Sequence, residues 1–483
     1  MANLIASMMS AAGALSAYSQ VLDVVQNNVA NASTPGYAAQ TEQLNAMQFD
    51  PTEGLSGGVT AGQVVSSRDQ YAEQAVQQQT TLMGQAQQDV SSLTSIQSLF
   101  DVTGTSGLDS ALNNLFQAFS AWAQTPTSTV AQQNVLTQAA TVANTFQQTA
   151  TGLQQVATDT SQQLDQTVTD INQMSSQLAA YNQQIMNGDR NDAGLDAQIN
   201  STLQQLSQDG SISATEQADG TYTVLLDGQT PLVIGNQAYN LSAAPTPNSP
   251  TSDNPLGPAH LSVLAYDGTD ITSQVTGGQL GSLLNTANSV LPGLLGDQNN
   301  AGSLNTLASK FADTVNNLLT QGYQTDGSDG NPAVGGVPLF TYGANNPTNV
   351  AASLQVSSTI TPSQLAAIDL GPPEVSNGVA LALSQLANPT DGTGEIGGLS
   401  YTQYYAGMAA NVGNLLSNAT NLQQTQQSSV AQAENVRQQV SGVSLDLEAT
   451  ILIQFQQAYE ASSKLITILD QLTNDTINML STS

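Results

Sequence analysis

Both ends of this chain carry the same hydrophobic repeat, and it constrains the fold more than any other feature. Apolar residues recur at alternating spacings of four and three, which is the heptad repeat of coiled-coil helices. The members of the N-terminal seam are Leu4, Met8, Ala11, Leu15, Tyr18, Leu22, Val25 and Val29. The C-terminal seam, with two polar members, consists of Ile451, Phe455, Ala458, Ser462, Leu465, Leu469, Leu472, Thr476 and Met479. We expect two terminal helices, each of about 30 residues or roughly 45 Å.

Neither seam has an apolar partner next to it in the sequence. The terminal helices can pair with each other or with copies from other subunits, and both arrangements satisfy the pattern. The ordinary interpretation of a single amphipathic helix, packing against the core of its own chain, is a third alternative. Because an unpaired end cannot bury its stripe, we expect both ends to be disordered until assembly.

The N-terminal seam ends in the string "NNVANASTPGY". The residues of this signature turn are Asn28, Asn31, Pro35, Gly36 and Tyr37. Asparagine suits a helix end because it tolerates left-handed and capping conformations. A Pro-Gly pair suits the centre of a tight turn, and the tyrosine that follows can anchor the chain. We expect a hinge here, between the terminal helix and the middle of the chain.

Between the seams, the hydrophobic periodicity is mainly helical. Helical patterns cover Tyr71 to Phe100, Leu108 to Trp122, Pro126 to about Met186, Leu195 to Leu206, Gly278 to Leu319, and Tyr401 to the C-terminus with an interruption at Gly442. Phe119 and Trp122 are predicted to lie in the core of this body. The predicted fold class is mainly α, with a long helical bundle or coiled-coil rod formed by the N- and C-terminal parts.

Two segments break the helical pattern. One combines β-rich runs with Asp-Gly turns, which is typical of a small inserted β domain. The other is irregular and rich in Gly, Pro and Asn, with short strands and a helix near Ser363–Ile368, while a weak strand pattern runs from Val59 to Ser67. We therefore divide the chain into terminal helices (1–40 and 440–483), a helical body (41–206, 275–325 and 399–439), a β insertion (207–274) and a mixed insertion (326–398).

Composition excludes several classes of partner. Charged residues make up 8% of the chain, and 5 basic against 36 acidic residues give a formal net charge of −31. With so few cations, the chain is not expected to bind nucleic acid or an anionic membrane surface. It contains no cysteine, no apolar run long enough to span a membrane, and no basic region typical of a secretory signal. We expect any export to proceed without a cleaved signal peptide.

The sequence offers no group of residues typical of catalysis, a metal centre or a cofactor site. His260 is the single histidine. The string from Gly392 to Gly397 matches a dinucleotide-binding glycine pattern, but no strand pattern precedes it and no helix pattern follows. The loop from Thr325 to Pro332 resembles a calcium loop, yet Val337 stands where the bidentate glutamate is required. We therefore expect no catalytic residue, no metal and no cofactor.

The two ends resemble the paired terminal signatures of the bacterial flagellar axial proteins, the family of rod, hook and hook-associated subunits. The N-terminal match is the string from Asn27 to Tyr37, and the C-terminal match, from Ser441 to Leu472, contains "SGVSLDLE" and "QQAYEASSK". Blocks at 277–293, 307–327, 338–340 and, most specifically, 433–448 are similar to the hook-associated members. One departure is Ala38-Ala39, where the family commonly has a Ser-Arg pair.

This resemblance implies a structural subunit that joins hook to filament, exported unfolded and assembled at the distal end of the hook. The implied partners are copies of itself in a ring, the hook protein on one side, and a second junction protein followed by flagellin on the other. The flagellar export apparatus is a further partner, with or without a chaperone. Three alternatives remain: another axial subunit such as a distal rod or hook protein, a secreted coiled-coil adhesin, and a wall hydrolase fused to an axial scaffold.

Overall fold

The structure, a computed structural model, describes residues 2–50, 55–101, 106–245, 260–297, 300–328, 332–343, 349–390 and 392–481. The helices are α1 (Ala2–Asn31), α2 (Gln70–Gln97), α3 (Gly107–Gln124), α4 (Thr129–Gln184), α5 (Ala193–Asp209), α6 (Gly278–Asn285), α7 (Leu291–Leu295), α8 (Ser303–Gln321), α9 (Val350–Ser353), α10 (Gly378–Gln385), α11 (Tyr401–Ser441) and α12 (Leu445–Ser481). Long helices dominate the described residues, so the predicted mainly α fold class with small β insertions is confirmed.

The strands are short, except for the first two. They are β1 (Gln40–Asp50), β2 (Leu55–Ser66), β3 (Ile212–Glu216), β4 (Tyr222–Leu226), β5 (Thr230–Ile234), β6 (Gln237–Ala238), β7 (Ser242–Pro245), β8 (Leu261–Leu264), β9 (Tyr323–Thr325), β10 (Val334–Gly335), β11 (Phe340–Thr341), β12 (Gln355–Val356), β13 (Glu395–Ile396) and β14 (Leu399–Ser400). Strands β3 to β6 form a four-stranded antiparallel sheet in sequence order, and the others form two-stranded ribbons.

The long helix predicted after Pro126 is α4, whose 56 residues correspond to about 84 Å at the helical rise. Its stripe of Phe146, Leu153 and Leu164 is buried, as the periodicity predicts. Threonines on the exposed side donate their hydroxyls to the carbonyl one turn earlier, as Thr137 does to Gln133 at 3.0 Å. These hydroxyls are therefore satisfied without a partner from another element.

Two helix predictions are wrong in detail. The segment from Gly278 to Leu319 is not one helix, because Gly296 and Gly302, with φ of 87° and 75°, turn the chain between α7 and α8. The helix expected near Ser363–Ile368 is only a 3-10 turn at Pro362–Gln364. There the backbone of Ile368 pairs with Tyr323 instead, at 2.9 and 3.1 Å, so the chain is extended.

The sequence predicts only one strand of the first ribbon. Strand β2 covers the weak pattern expected from Val59 to Ser67, whereas β1 is not predicted at all. The two strands pair antiparallel from Gln40 opposite Ser66 to Asp50 opposite Leu55, with a register shift between Glu42 and Leu44. Most side chains of β1 are exposed, which explains why its hydrophobic pattern is too weak to recognise.

The chain divides into two compact units. The terminal unit consists of Met1–Leu82, Asn172–Tyr239 and Gln426–Ser483, and the central unit consists of Met83–Ile171 and Asn240–Thr425. The terminal unit holds α1, the β1–β2 ribbon, α5, the four-stranded sheet and α12. Strands β7 and β8 belong to the central unit, so the strands of the expected β insertion are shared between the units. The division into four parts stays a prediction.

An aromatic cluster forms the core of the central unit. The ring of Phe311 lies 5.4 Å from that of Phe340 and 5.4 Å, edge-on, from that of Tyr401. Phe119 and Trp122 are 0% exposed, which confirms their predicted place in this core. The indole N–H of Trp122 donates to the carbonyl of Pro126 at 3.1 Å, so its polar atom is satisfied.

Candidate assembly surface

The two terminal helices, α1 and α12, lie against each other in the same chain and run antiparallel. The rings of Tyr18 and Phe455 are 5.6 Å apart, and ten residues further along α1, Asn28 contacts Glu448 near the start of α12. Of the arrangements that the sequence leaves open, the structure shows the two ends paired with each other. Disorder of these ends before assembly stays a prediction.

The N-terminal seam lies on α1 beside an even more deeply buried line. Of the seam residues, Ala11 and Val25 are buried, Leu4, Met8, Leu15, Tyr18 and Leu22 are partly buried, and Val29 is 46% exposed. Ala17 and Val21, outside the seam, are 1% and 7% exposed because the β1–β2 ribbon covers a second face of α1. The Ser10 hydroxyl donates to the Gly57 carbonyl at 2.6 Å and fixes this ribbon on the helix.

The C-terminal seam is divided between two faces of α12. Ile451, Phe455, Ala458, Ser462, Leu469 and Thr476 are partly buried. In contrast, Leu465, Leu472 and Met479 are 50%, 49% and 73% exposed, and Ile468 beside them is 59% exposed. These later members lie on the part of α12 that α1 leaves exposed. We call Leu465, Ile468 and Leu472 the free stripe.

Asn28 joins four segments of the terminal unit and is 1% exposed. Its amide nitrogen donates to the carbonyl of Gln40 and to Oε1 of Glu448, both at 2.8 Å. Its amide oxygen accepts from the Gln40 N–H and the Tyr37 hydroxyl, both at 2.9 Å. One side chain thus connects α1, the signature turn, β1 and α12. The sequence predicts Asn28 at a helix end, but not its partner 420 residues away.

Two ionisable groups beside Asn28 have shifted pKa values. Burial raises the pKa of the Tyr37 phenol, and the negative charge of Glu448 raises it further. Burial likewise raises the pKa of Glu448, while the hydrogen bond from Asn28 opposes that shift. Tyr37 therefore stays protonated at neutral pH and keeps donating to Asn28.

The signature turn is fitted against α5 through Gly36. Gly36 has φ of 74°, and a Cβ at this position would lie 2.5 Å from the Ala197 carbonyl oxygen and 3.1 Å from the Ser201 nitrogen. Only glycine satisfies both the left-handed backbone and this close approach. Pro35 is exposed, and Asn31 donates to the carbonyl one helical turn earlier at 3.0 Å. The tight turn expected from the sequence is thus a docking contact as well.

Arg68, which the sequence analysis does not single out, holds the turn in place. Its guanidinium donates to the Gly36 carbonyl at 2.6 Å, to Asp196 at 2.7 Å and to Glu73 at 2.5 Å. Burial lowers the pKa of Arg68, but the neighbouring carboxylates raise it by more, so the guanidinium stays charged. Arg437 contacts the other oxygen of Glu73 at 3.3 Å. Two of the five basic residues are thus committed to this network.

The glycine string, the single histidine and the calcium-like loop of the sequence do not form a binding site among the described residues. Gly392, Gly394 and Gly397 have positive φ and surround the β13–β14 hairpin. His260 lies 3.5 Å from Asp297, and the loop from Thr325 to Pro332 falls partly outside the described residues. Among the described residues, no three His, Asp or Glu side chains are grouped to hold a metal. In the same ranges, no helix combines the length and apolarity that crossing a membrane requires.

Comparison with known proteins places these ends and this body in one family. The family model for the flagellar hook-associated protein FlgK helical domain matches residues 93–333. Models for the flagella basal body rod protein and the flagellar basal body rod FlgEFG protein C-terminal match residues 8–37 and 437–479. Flagellar hook-associated protein 1 of Bacillus subtilis (strain 168) is 28% identical over 96% of each chain. The chain belongs to the flagellar hook-associated protein 1 family.

Other relatives agree with this membership. Flagellar hook-associated protein 1 of Escherichia coli (strain K12) is 23% identical over 99% of this chain and 100% of its own. The Salmonella typhimurium protein is 26% identical over 69% of this chain and 60% of its own. The solved flagellar hook junction protein FlgK from Burkholderia pseudomallei shares the fold, with a TM-score of 0.62 at 18% identity, covering 76% of this chain and 100% of that chain.

Membership in the flagellar hook-associated protein 1 family gives a coarse function. The relatives are structural proteins of the flagellum, and the two terminal matches are to models shared with rod proteins. The chain is therefore a structural component of the extracellular part of the flagellum and associates with other axial proteins. The resemblance inferred from the two terminal strings is confirmed.

Proposed function

We propose that this protein joins the flagellar hook to the filament, as a ring of copies at the distal end of the hook. The hook protein contacts one side of the ring, and a second junction protein, followed by flagellin, is built on the other. The chain reaches this place through the flagellar export apparatus without a cleaved signal peptide, with or without a chaperone. The match of residues 93–333 to the hook-associated helical domain supports this place among the axial subunits.

The free stripe is the observation that carries the assembly part of the proposal. Burying a side chain of this size stabilises a contact by about 1.5–3 kcal/mol, so three exposed residues in one line are a strong driving force for association. Contiguous apolar surface of this kind marks a contact with another protein. A neighbouring copy would contact this stripe with a different patch of its own surface, because such heterologous contacts build rings and helical lattices.

The remaining alternative within the family is a distal rod or hook protein. The models at residues 8–37 and 437–479 carry the names of rod proteins and are compatible with it. The central match opposes it, because those models do not extend over the helical body. The signature residues of the turn and the two seams would have the same assembly role in either case.

Deletion of the gene in its own bacterium separates these alternatives. We expect the deletion strain to keep its hooks, to lose its filaments and to release flagellin into the medium, and the wild-type gene to restore filaments. Electron micrographs and immunoblots of the culture medium measure these outcomes. Normal filaments would overturn the junction assignment, and loss of the hooks as well would favour the rod or hook alternative.

A further inference from the structure

Glu448 places a carboxyl group inside the joint between the two ends of the chain. It lies in the first turn of α12 and is 5% exposed. Its Oε1 accepts the hydrogen bond from Asn28 at 2.8 Å. Its Oε2 is buried and has no hydrogen-bond partner among the described residues. A carboxylate held in this way has lost water and recovered only one hydrogen bond.

The charges around Glu448 do not compensate for its burial. Arg68 and Arg437, the two arginines of the network around Glu73, are paired with Glu73 and Asp196. On the turn, the Tyr37 phenol faces Glu448 and is itself affected by its charge. On β1, Glu42 lies two residues after Gln40, on the same face of the strand, and also has a buried oxygen without a partner. On α12 itself, Asp446 adds negative charge, and only the partial positive charge of the helix N-terminus is favourable.

We propose that Glu448 is the positioning residue of the terminal helix pair, and that its protonation sets how firmly α12 is held against α1 and β1. In the neutral form, the carboxyl group keeps the hydrogen bond from Asn28 and carries no buried charge. In the ionised form, the same site contains an unpaired negative charge beside the Tyr37 phenol, and release of α12 into water removes this cost. The attachment therefore weakens on ionisation.

The direction of the pH dependence follows from the pKa of Glu448. Burial raises this pKa above its ordinary value of 4.5, so the attached state binds the proton more tightly than the released state. Attachment is strongest below pH 4.5 and weakens as the pH rises through the raised value. For each unit of difference between the two pKa values, the attachment equilibrium changes by about tenfold.

Spin labels can measure this attachment directly because the chain has no cysteine of its own. Gln20 on α1 and Gln454 on α12 are exposed, and replacing both by cysteine places one label on each helix. We expect the short label-to-label distance, measured by pulsed electron paramagnetic resonance on the monomer, to lose population as the pH is raised from 4.5 across the acidic and neutral range. In Glu448→Gln, which is neutral at every pH, the short distance should persist across this range.

Two controls make this experiment decisive. Asp446→Asn removes an exposed carboxylate from the same helical turn but keeps Glu448, so the loss of the short distance with rising pH should persist in this variant. Trp122 fluorescence verifies that the central unit stays folded in each variant. An unchanged pH dependence in Glu448→Gln, or a wild-type distance that does not depend on pH, would overturn the role of Glu448. The role of Glu448 rests on the proposed function only because α12 is taken as the assembly helix. The measurement on the monomer does not depend on filament formation.

Discussion

Asparagine side chains on helices repeatedly take the place of a neighbouring strand in this protein. Each donates to the carbonyl and accepts from the N–H of one residue, as a paired strand residue does. The pairs are Asn28 with Gln40, Asn182 with Tyr222, Asn288 with Leu261, and Asn316 with Phe340, all at 2.8–2.9 Å. Asn288 lies in the short π-helix Thr286–Val290 between α6 and α7. Every partner is the first residue of its strand. In a chain with 8% charged residues, neutral amides thus attach strands to helices without burying charge.

The role of these pairs can be tested at two adjacent residues of α8. Asn316 pairs with Phe340, whereas Asn317 is exposed. Because aspartate cannot donate, Asn316→Asp should lower the free energy of unfolding at neutral pH by about 1–3 kcal/mol. Asn317→Asp should change it by less than about 0.5 kcal/mol. Urea unfolding followed by Trp122 fluorescence, which reports on the same unit, measures the difference, and equal effects of the two substitutions would contradict this role.

At the scale of single residues, the sequence predicts local conformation better than it predicts which residues a side chain contacts. Pro35, Gly36 and Tyr37 could be assigned to a turn because their conformational preferences are local. The Asn28 partners could not be predicted, since Glu448 is brought to it only by the pairing of the chain ends. Arg68 could not be predicted for the same reason, because its guanidinium donates to a backbone carbonyl and to two carboxylates, one of which is distant in sequence.

Among the elements, α12 carries more apolar surface than α1 can cover. Residues 451, 458, 465, 472 and 479 form one line of the heptad, and its members are partly buried at first and exposed from Leu465 onward. The other line of the heptad, which includes Phe455 and Leu469, stays partly buried along the whole pair. One helix thus has a face packed within the chain and a face that is largely exposed.

Substitutions on the two faces should have different effects. Leu472→Lys, on the free stripe, should abolish filament formation in the deletion strain and change the thermal stability of the monomer by less than about 0.5 kcal/mol. Gln471→Lys adds the same charge at the neighbouring exposed position and should restore filaments normally. Leu469→Lys, on the intramolecular face, should weaken the helix pair itself. Circular dichroism melting and filament counts measure these effects, and full restoration of filaments by Leu472→Lys would exclude the free stripe as the subunit contact.

The sequence predicts helices and strands well where a hydrophobic pattern continues over many residues. It predicts them poorly where tertiary contacts determine the local structure. The 56 residues of α4 and the interruption at Gly442 follow from periodicity and from one glycine. Strand β1 could not be found, because its pattern is mostly exposed and its register is fixed by β2 and α1. The helical pattern from Gly278 conceals two glycine turns, because glycine within a helical pattern is tolerated and does not always end it.

For the whole molecule, the distribution of charge limits how copies can come together. Each chain carries a formal charge of −31, and two of its five cations lie in the network around Glu73. In the proposed ring, copies would therefore repel one another at long range, while the free stripe would attract at contact. The repulsion is screened by salt over about 30 Å at 0.01 M and about 10 Å at 0.1 M, whereas apolar contact is not weakened by it.

Assembly should consequently become tighter as the ionic strength rises. We expect purified protein to bind hooks isolated from the deletion strain more weakly in about 0.01 M than in about 0.15 M sodium chloride, because less of the repulsion is screened. Co-sedimentation with the hooks measures the bound fraction. The double variant Asp159→Asn and Asp165→Asn removes two exposed charges from α4, far in sequence from both seams, and should bind at lower salt than the wild type. The variant leaves the apolar stripe intact. A lower salt concentration for its binding would therefore be due to charge screening and not to a general effect of salt on apolar contacts. Binding that weakens with added salt would instead show that opposite charges hold the copies together.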